Sequence, residues 1–208
     1  MSKCMRMLML VALSLLSVSL FAQEDFSADI VNHQKGEEGN APPRIYVSKG
    51  KMRVEEKNAR ASAVIIDFDA QKMDVLMSER NMYMEIPAGR GPGQRWNQFF
   101  RPADVENACA DWEKMATHRG GECHKVGADT VNGRNTIKYA ATSDEGKHST
   151  IWLDPKIDFP IKWEDDKGGG ELQNIKDGAL SPSLFEVPSG WQKMQLPPGM
   201  AMPSMQPH

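Results

Sequence analysis

The stretch Asn135–Ile175, NTIKYAATSDEGKHSTIWLDPKIDFPIKWEDDKGGGELQNI, decides how the rest of the chain is read. Turn chemistry cuts it into four short strands: Asp144-Glu145-Gly146, then Asp154-Pro155 to Pro160, then Lys167-Gly168-Gly169-Gly170. Ile151 and Leu153 stand two apart, as do Ile161 and Trp163, the spacing of strands that bury one face. Such a meander needs something to bury that face against, so the flanking segments are expected to continue it and to fill it.

Working outward, the same alternation recurs upstream. Phe26, Ala28 and Ile30 alternate in Gln23–Lys35, and the cluster GEEGNAPP (36–43) turns the chain. RIYV and KMRVEE follow, joined by Ser48-Lys49-Gly50, with Met52 and Val54 on one side and Lys51, Arg53 and Glu55 on the other. SAVIIDFD (62–69) is more continuously apolar, Lys72–Glu79 follows, and Asn81–Pro87 sets Met82, Met84 and Ile86 on one face. Strands this short and regular predict a sandwich, a barrel or one large curled sheet. Downstream, Asn132-Gly133 within VNGRNTIKY marks a two-residue hairpin.

One segment carries helical periodicity. In Pro102–Thr117, Val105, Ala108, Cys109, Trp112, Met115 and Ala116 recur at helical spacing, with Pro102 placed to start the helix and Gly120-Gly121 to follow it. Before it, AGRGPGQRWNQFFR (88–101) combines glycines with Trp96, Phe99 and Phe100. It reads as a loop tucking its aromatics into the core, or as a lid over a cavity mouth.

The ends of the chain differ from its middle. Lys3 and Arg6 precede the apolar run Leu8–Phe21, with Ala22 at the expected cleavage point, so residues 1–22 read as a signal peptide. Of the 208 residues, 186 then remain. The 25 basic residues fall to 23 against 28 acids, a formal charge of −5. That length suits one domain (23–195), and the acidic balance without a basic stripe excludes nucleic acid. No integral membrane segment is expected once the signal is cleaved. Leu196–His208, rich in Pro and Met, reads as a disordered tail. Its thioethers suit Cu(I), a weaker idea.

Export also governs Cys109 and Cys123. A disulfide between them is the simplest expectation in an oxidising compartment, and it would pin the helix to the sheet; zinc is the competing reading. Elsewhere no GxSxG, HExxH or phosphate loop occurs. Asp67 with Asp69, and Asp165 with Asp166, read as solvated pairs, and His33, His118, His124 and His148 are scattered. No enzyme, cofactor or metal is therefore expected.

Several of these motifs have a familiar arrangement. Val131-Asn132-Gly133, Lys138-Tyr139, Ile151-Trp152-Leu153-Asp154-Pro155, Pro160-Ile161-Lys162 and Leu184-Phe185-Glu186-Val187-Pro188-Ser189-Gly190-Trp191 together resemble the LolA-like superfamily of periplasmic proteins. The resemblance implies a mainly β (α+β) fold: a strongly curved antiparallel sheet forming an unclosed half-barrel, its concave side covered or filled by one main helix. It also implies an apolar hollow for the acyl chains of lipoproteins or lipids, or alternatively a stress-sensing envelope module that docks another protein. Met52, Val54, Met82, Met84 and Ile86 are the expected wall of such a hollow, and Trp96, Phe99 and Phe100 its cover.

Overall fold

A computed structural model describes residues 24–33, 41–56, 61–87, 104–114 and 120–195. The proposed signal peptide, the loop bearing Trp96, Phe99 and Phe100, His118 and the tail 196–208 lie outside the described residues.

The strands are β1 (Phe26–Asn32), β2 (Arg44–Ser48), β3 (Lys51–Glu55), β4 (Ala63–Asp67), β5 (Lys72–Met77), β6 (Met82–Pro87), β7 (Glu122–Val131), β8 (Arg134–Thr142), β9 (His148–Asp154), β10 (Phe159–Asp165), β11 (Gly168–Asp177) and β12 (Gln192–Lys193). All belong to one sheet in the order β12-β6-β5-β4-β3-β2-β1-β11-β10-β9-β8-β7. Every pairing is antiparallel except the short parallel contact of β12 with β6. The sheet does not close, because β7 and β12 stand at its two ends. This is the expected unclosed half-barrel, made of two meanders (β1–β6 and β7–β11) joined where β1 pairs with β11.

Local chemistry accounts for the hairpins. Asn132 and Gly133 both take positive φ (50° and 77°), the left-handed pair that a two-residue turn between right-twisted strands requires. The β8–β9 turn closes as Ser143 and Lys147 pair across Asp144–Gly146. The third turn differs from expectation. Gly168, Gly169 and Gly170 are not turn residues but the first rungs of β11, opposite Asp165, Glu164 and Trp163. The turn itself is Asp166-Lys167, held by the Asp165 carboxylate, which accepts the N–H groups of Lys167 and Gly168.

The helix α1, Ala108–Lys114, starts later than its periodicity suggested. Residues 104–107 form a turn instead. The Asp104 carboxylate accepts the Glu106 N–H and the Asp104 carbonyl accepts the Asn107 N–H, local bonds that compete with helix. Val105 thereby leaves the apolar stripe, and its carbonyl accepts the Tyr139 hydroxyl. Cys109 and Cys123 are disulfide-bonded, 5.5 Å apart at Cα, which ties α1 to β7 and overturns the zinc alternative.

The pairing register defines two faces. The inner face carries Phe26, Ala28, Val47, Met52 and Ile66, and it forms the main core. The outer face of β2–β6 is covered by a strap, residues 178–195, which crosses from β1 to the far edge. Gly178 and Leu180 bond to Asp25, Arg53 donates to the Leu184 carbonyl, and Gln192 and Met194 bond to Asn81 and Tyr83. Phe185 of the strap joins Ala63, Ile65 and Leu76 in a second, smaller core.

Candidate functional site

The inner face is built from rows that cross the strands. Successive pairings align Phe26, Val47, Met52, Ile66, Met73 and Ile86 in one row, and Ala28, Ile45, Val54, Val64, Val75 and Met84 in the next. Met77 and Met82, directly opposite each other, extend the wall beside β6. Four of the five expected wall residues, Met52, Val54, Met84 and Ile86, are buried together in the main core, and Met82 is half-buried. The structure thus places them on one continuous apolar surface.

The second meander continues this face differently. Tyr139, Ile151, Trp163 and Gly170 align across β8–β11. Tyr139 is buried, whereas Ile151 and Trp163 are only half-buried. Two residues further along the same strands, Leu153, Ile161 and Leu172 are fully buried.

Where the first meander ends in loops, the second is closed by charge. Arg134 bonds to Asp154 and Asp177, and Lys156 bonds to Asp177 and reaches Glu24. Burial pushes the Asp177 carboxyl up, but hydrogen bonds from Lys156 and Arg134 outweigh it and hold the group below the usual range. Asp158, with burial as the main cause and Asp104 and Asp154 nearby, moves the other way. On the outer face, Trp152 lies between the ammonium groups of Lys138 and Lys162, 4.7 and 4.4 Å from its ring, and donates its indole N–H to Asp129. The alternation of lysine and aromatic across three strands is a pairing property, invisible without the register.

Asp67 is a correction. It is buried and not solvated, accepting the Ala70 N–H and facing Lys51 at 3.1 Å, because Lys51 is its cross-strand partner. Asp69 is exposed as expected, as are Asp165 and Asp166, although Asp166 also accepts the His148 N–H. Among the described residues no three His, Cys, Asp or Glu side chains come together as metal ligands, and no helix is long and apolar enough to cross a membrane.

Two open depressions flank the strap on the outer face. One, of about 370 Å³, is lined by Arg53, Glu55, Leu76, Ser78, Pro188 and Trp191 among others. The other, of about 170 Å³, includes Lys49, Lys51, Phe185 and Glu186. Sequence reading missed both, since nothing local says that 178–195 folds back over β2–β6.

This architecture defines the chain as an open, strapped β half-barrel. No protein-family model matches the chain, and no curated protein is significantly similar to it. Solved structures match by shape. An uncharacterized conserved protein from Thermus thermophilus is similar at 11% identity and a TM-score of 0.49, over 84% of this chain and 91% of that one. A chain of the Pseudomonas aeruginosa MucA/MucB complex is similar at 15% identity and a TM-score of 0.49, over 86% of this chain and 63% of that one. The LolA superfamily protein NE2245 from Nitrosomonas europaea matches at 8% identity and a TM-score of 0.33, over 79% and 90%.

Proposed function

We propose that the domain formed by residues 23–195 is an exported, non-enzymatic binding module that holds a lipid or the acyl chain of a lipoprotein against its inner face. The observation that carries this reading is the wall itself: two rows of six apolar side chains spanning β1–β6, with Met52, Met73 and Met84 among them. Methionine's flexible, polarizable side chain suits a surface that must repack around a varying guest. The wall is buried in the free protein, so an acyl chain enters by displacing protein from it. Each buried methylene contributes roughly 0.8 kcal/mol, so about fifteen, the length of a common fatty acid, supply about 12 kcal/mol and leave about micromolar affinity after an association cost of about 4 kcal/mol. The disulfide agrees with an oxidising compartment.

Titration with a fluorescent fatty acid tests the reading. A saturable signal is expected from the wild type and its loss from Met84→Glu, with circular dichroism confirming that the variant is folded. Met84→Gln serves if the charge prevents folding. A second reading, an envelope module that docks another protein, draws on the depression between the strap and β3–β5, which is independent of the inner wall. No saturable binding by the wild type, together with no lipid in native mass spectra of protein purified from its own periplasm, would favour it.

A further inference from the structure

We infer that the depression between the strap and β3–β5 is a second binding site, separate from the inner wall, and that it takes an uncharged sugar. Its volume of about 370 Å³ lies near the lower end of the range usual for small-ligand clefts, about 300–1,000 Å³. The strap contributes Pro188 and Trp191, and β3 contributes Arg53 and Glu55, over the buried Leu76 of β5. An aromatic surface and an ion pair therefore line one opening.

Each wall is held in place. Arg53 and Glu55 stand two apart on β3, so both project on the outer face. Arg53 donates through Nε to Glu55 at 2.7 Å and through Nη1 to the Leu184 carbonyl at 3.0 Å, which fixes the guanidinium between strand and strap. The second oxygen of Glu55 accepts the Tyr46 hydroxyl at 3.4 Å. Trp191 is held through the backbone. Its N–H donates to the Pro188 carbonyl, and the next residue, Gln192, donates to the Asn81 carbonyl where β12 begins. At the rim, Ser62 Oγ donates to the Leu76 carbonyl and accepts the Ser78 N–H. Walls already fixed lose little to ordering when a ligand binds.

Unused hydrogen-bonding capacity defines the ligand. Among the described residues, Nη2 of Arg53 and the indole N–H of Trp191 have no hydrogen-bond partner, and Glu56 is exposed beside them. The opening thus offers donors on two sides, carboxylate acceptors, and the half-buried face of an indole.

Charge then selects among ligand classes. An anion would meet Glu55 and Glu56, and a cation against Trp191 would meet the Arg53 guanidinium. An alkyl chain would cover the Arg53–Glu55 pair without bonding to it, and burying polar groups unpaired is costly. A sugar avoids all three conflicts. Its hydroxyls accept from Arg53 and donate to the carboxylates, while the C–H face of its ring packs on the indole, whose N–H stays free to bond. An indole beside an ion-paired arginine and carboxylate is matched by a ring that is apolar on its face, polar at its edge and without charge.

Titration of the exported protein with maltose, cellobiose and N,N′-diacetylchitobiose tests the assignment. The readout is the indole N–H resonance of Trp191, identified by its loss in Trp191→Phe. A saturable shift with at least one of these sugars is expected. Arg53→Lys removes the guanidinium fork, and Ser78→Leu narrows the opening from an exposed position. Each should weaken binding about tenfold or more, and Ser78→Leu serves alone if Arg53→Lys does not fold. Val126→Ser, at an exposed position of β7, should leave binding unchanged. No saturable shift with any of the three sugars, or a shift undiminished in Ser78→Leu, would overturn the sugar site and leave the depression to the protein-docking reading. Acyl binding stands or falls separately, in the fatty-acid titration.

Discussion

The two meanders obey the same pairing rules but bury their faces to different depths. In β2–β6 the inner face is closed by the main core and the outer face by the strap, so AVIID of β4 and KMDVLM of β5 are buried almost throughout. In β7–β10 nothing equivalent to the strap is described on the outer face. β7 is mostly exposed, and in β8 only Thr136, Tyr139 and Ala141 are buried. A strand covered on both sides reads as a continuous apolar run, and one covered on a single side reads as alternation. Both halves feed the main core, and the difference separates a half covered on two faces from one whose outer face keeps more of its surface.

Paired truncations break that contrast most directly. Met52→Ala, in the fully buried wall, should cost about 2–5 kcal/mol, whereas Ile151→Ala, at a half-buried position of β9, should cost under about 1.5 kcal/mol. Urea unfolding of both variants gives the answer, and equal losses would mean that the second meander is as closed as the first.

Removing the disulfide asks how far the open half depends on its staple. The cysteines stand 14 positions apart, and a loop of that size is worth roughly 3 kcal/mol in the chain-entropy model. The Cys109→Ser/Cys123→Ser variant should lose about that much in chemical denaturation. Hydrogen exchange should rise first in β7 and α1, and protection lost first from β4 or β5 would contradict the division.

A smaller effect is expected where the charge network closes the second meander. Asp177 in the folded state sits below the ordinary carboxylate range, so its contribution is complete above the unfolded value near pH 4. It is lost as pH falls through that range toward the folded value. Asp177→Asn should cost about 1–2 kcal/mol at neutral pH and flatten the decline of stability below about pH 4. Melting curves across pH decide it, and parallel curves for variant and wild type would show the network to be without influence.

The least change is expected at the β7–β8 turn. Gly133 has φ near 77° and open space where a Cβ would go, so Gly133→Ala meets backbone strain and no clash. The cost should be about 1 kcal/mol by thermal denaturation. A loss several times larger would mean that this hairpin supports more of the fold than its exposure suggests.

How much of this was legible depends on how local each cause is. Turn chemistry at Asn132-Gly133 and Asp144–Gly146, the alternation of Met52 with Val54 and of Met82 with Met84 and Ile86, and the pairing of Cys109 with Cys123 are short-range facts, and they were legible in the sequence alone. The existence of the helix was legible too. Its start was not, because the Asp104 carboxylate competes for the backbone there. Tertiary structure decided the rest. Ile30 meets Leu172 across 142 positions, and nothing in either strand announces the other. Asp67 is buried because Lys51 and Ala70 are brought to it, and Gly170 sits in a strand because Trp163 lies across it. The strap covers the outer face because Phe185 and its neighbours find apolar partners on β4 and β5 that only pairing brings together. Strand identity is written in two-residue periods and turns, whereas depth of burial depends on what another part of the chain lays on top.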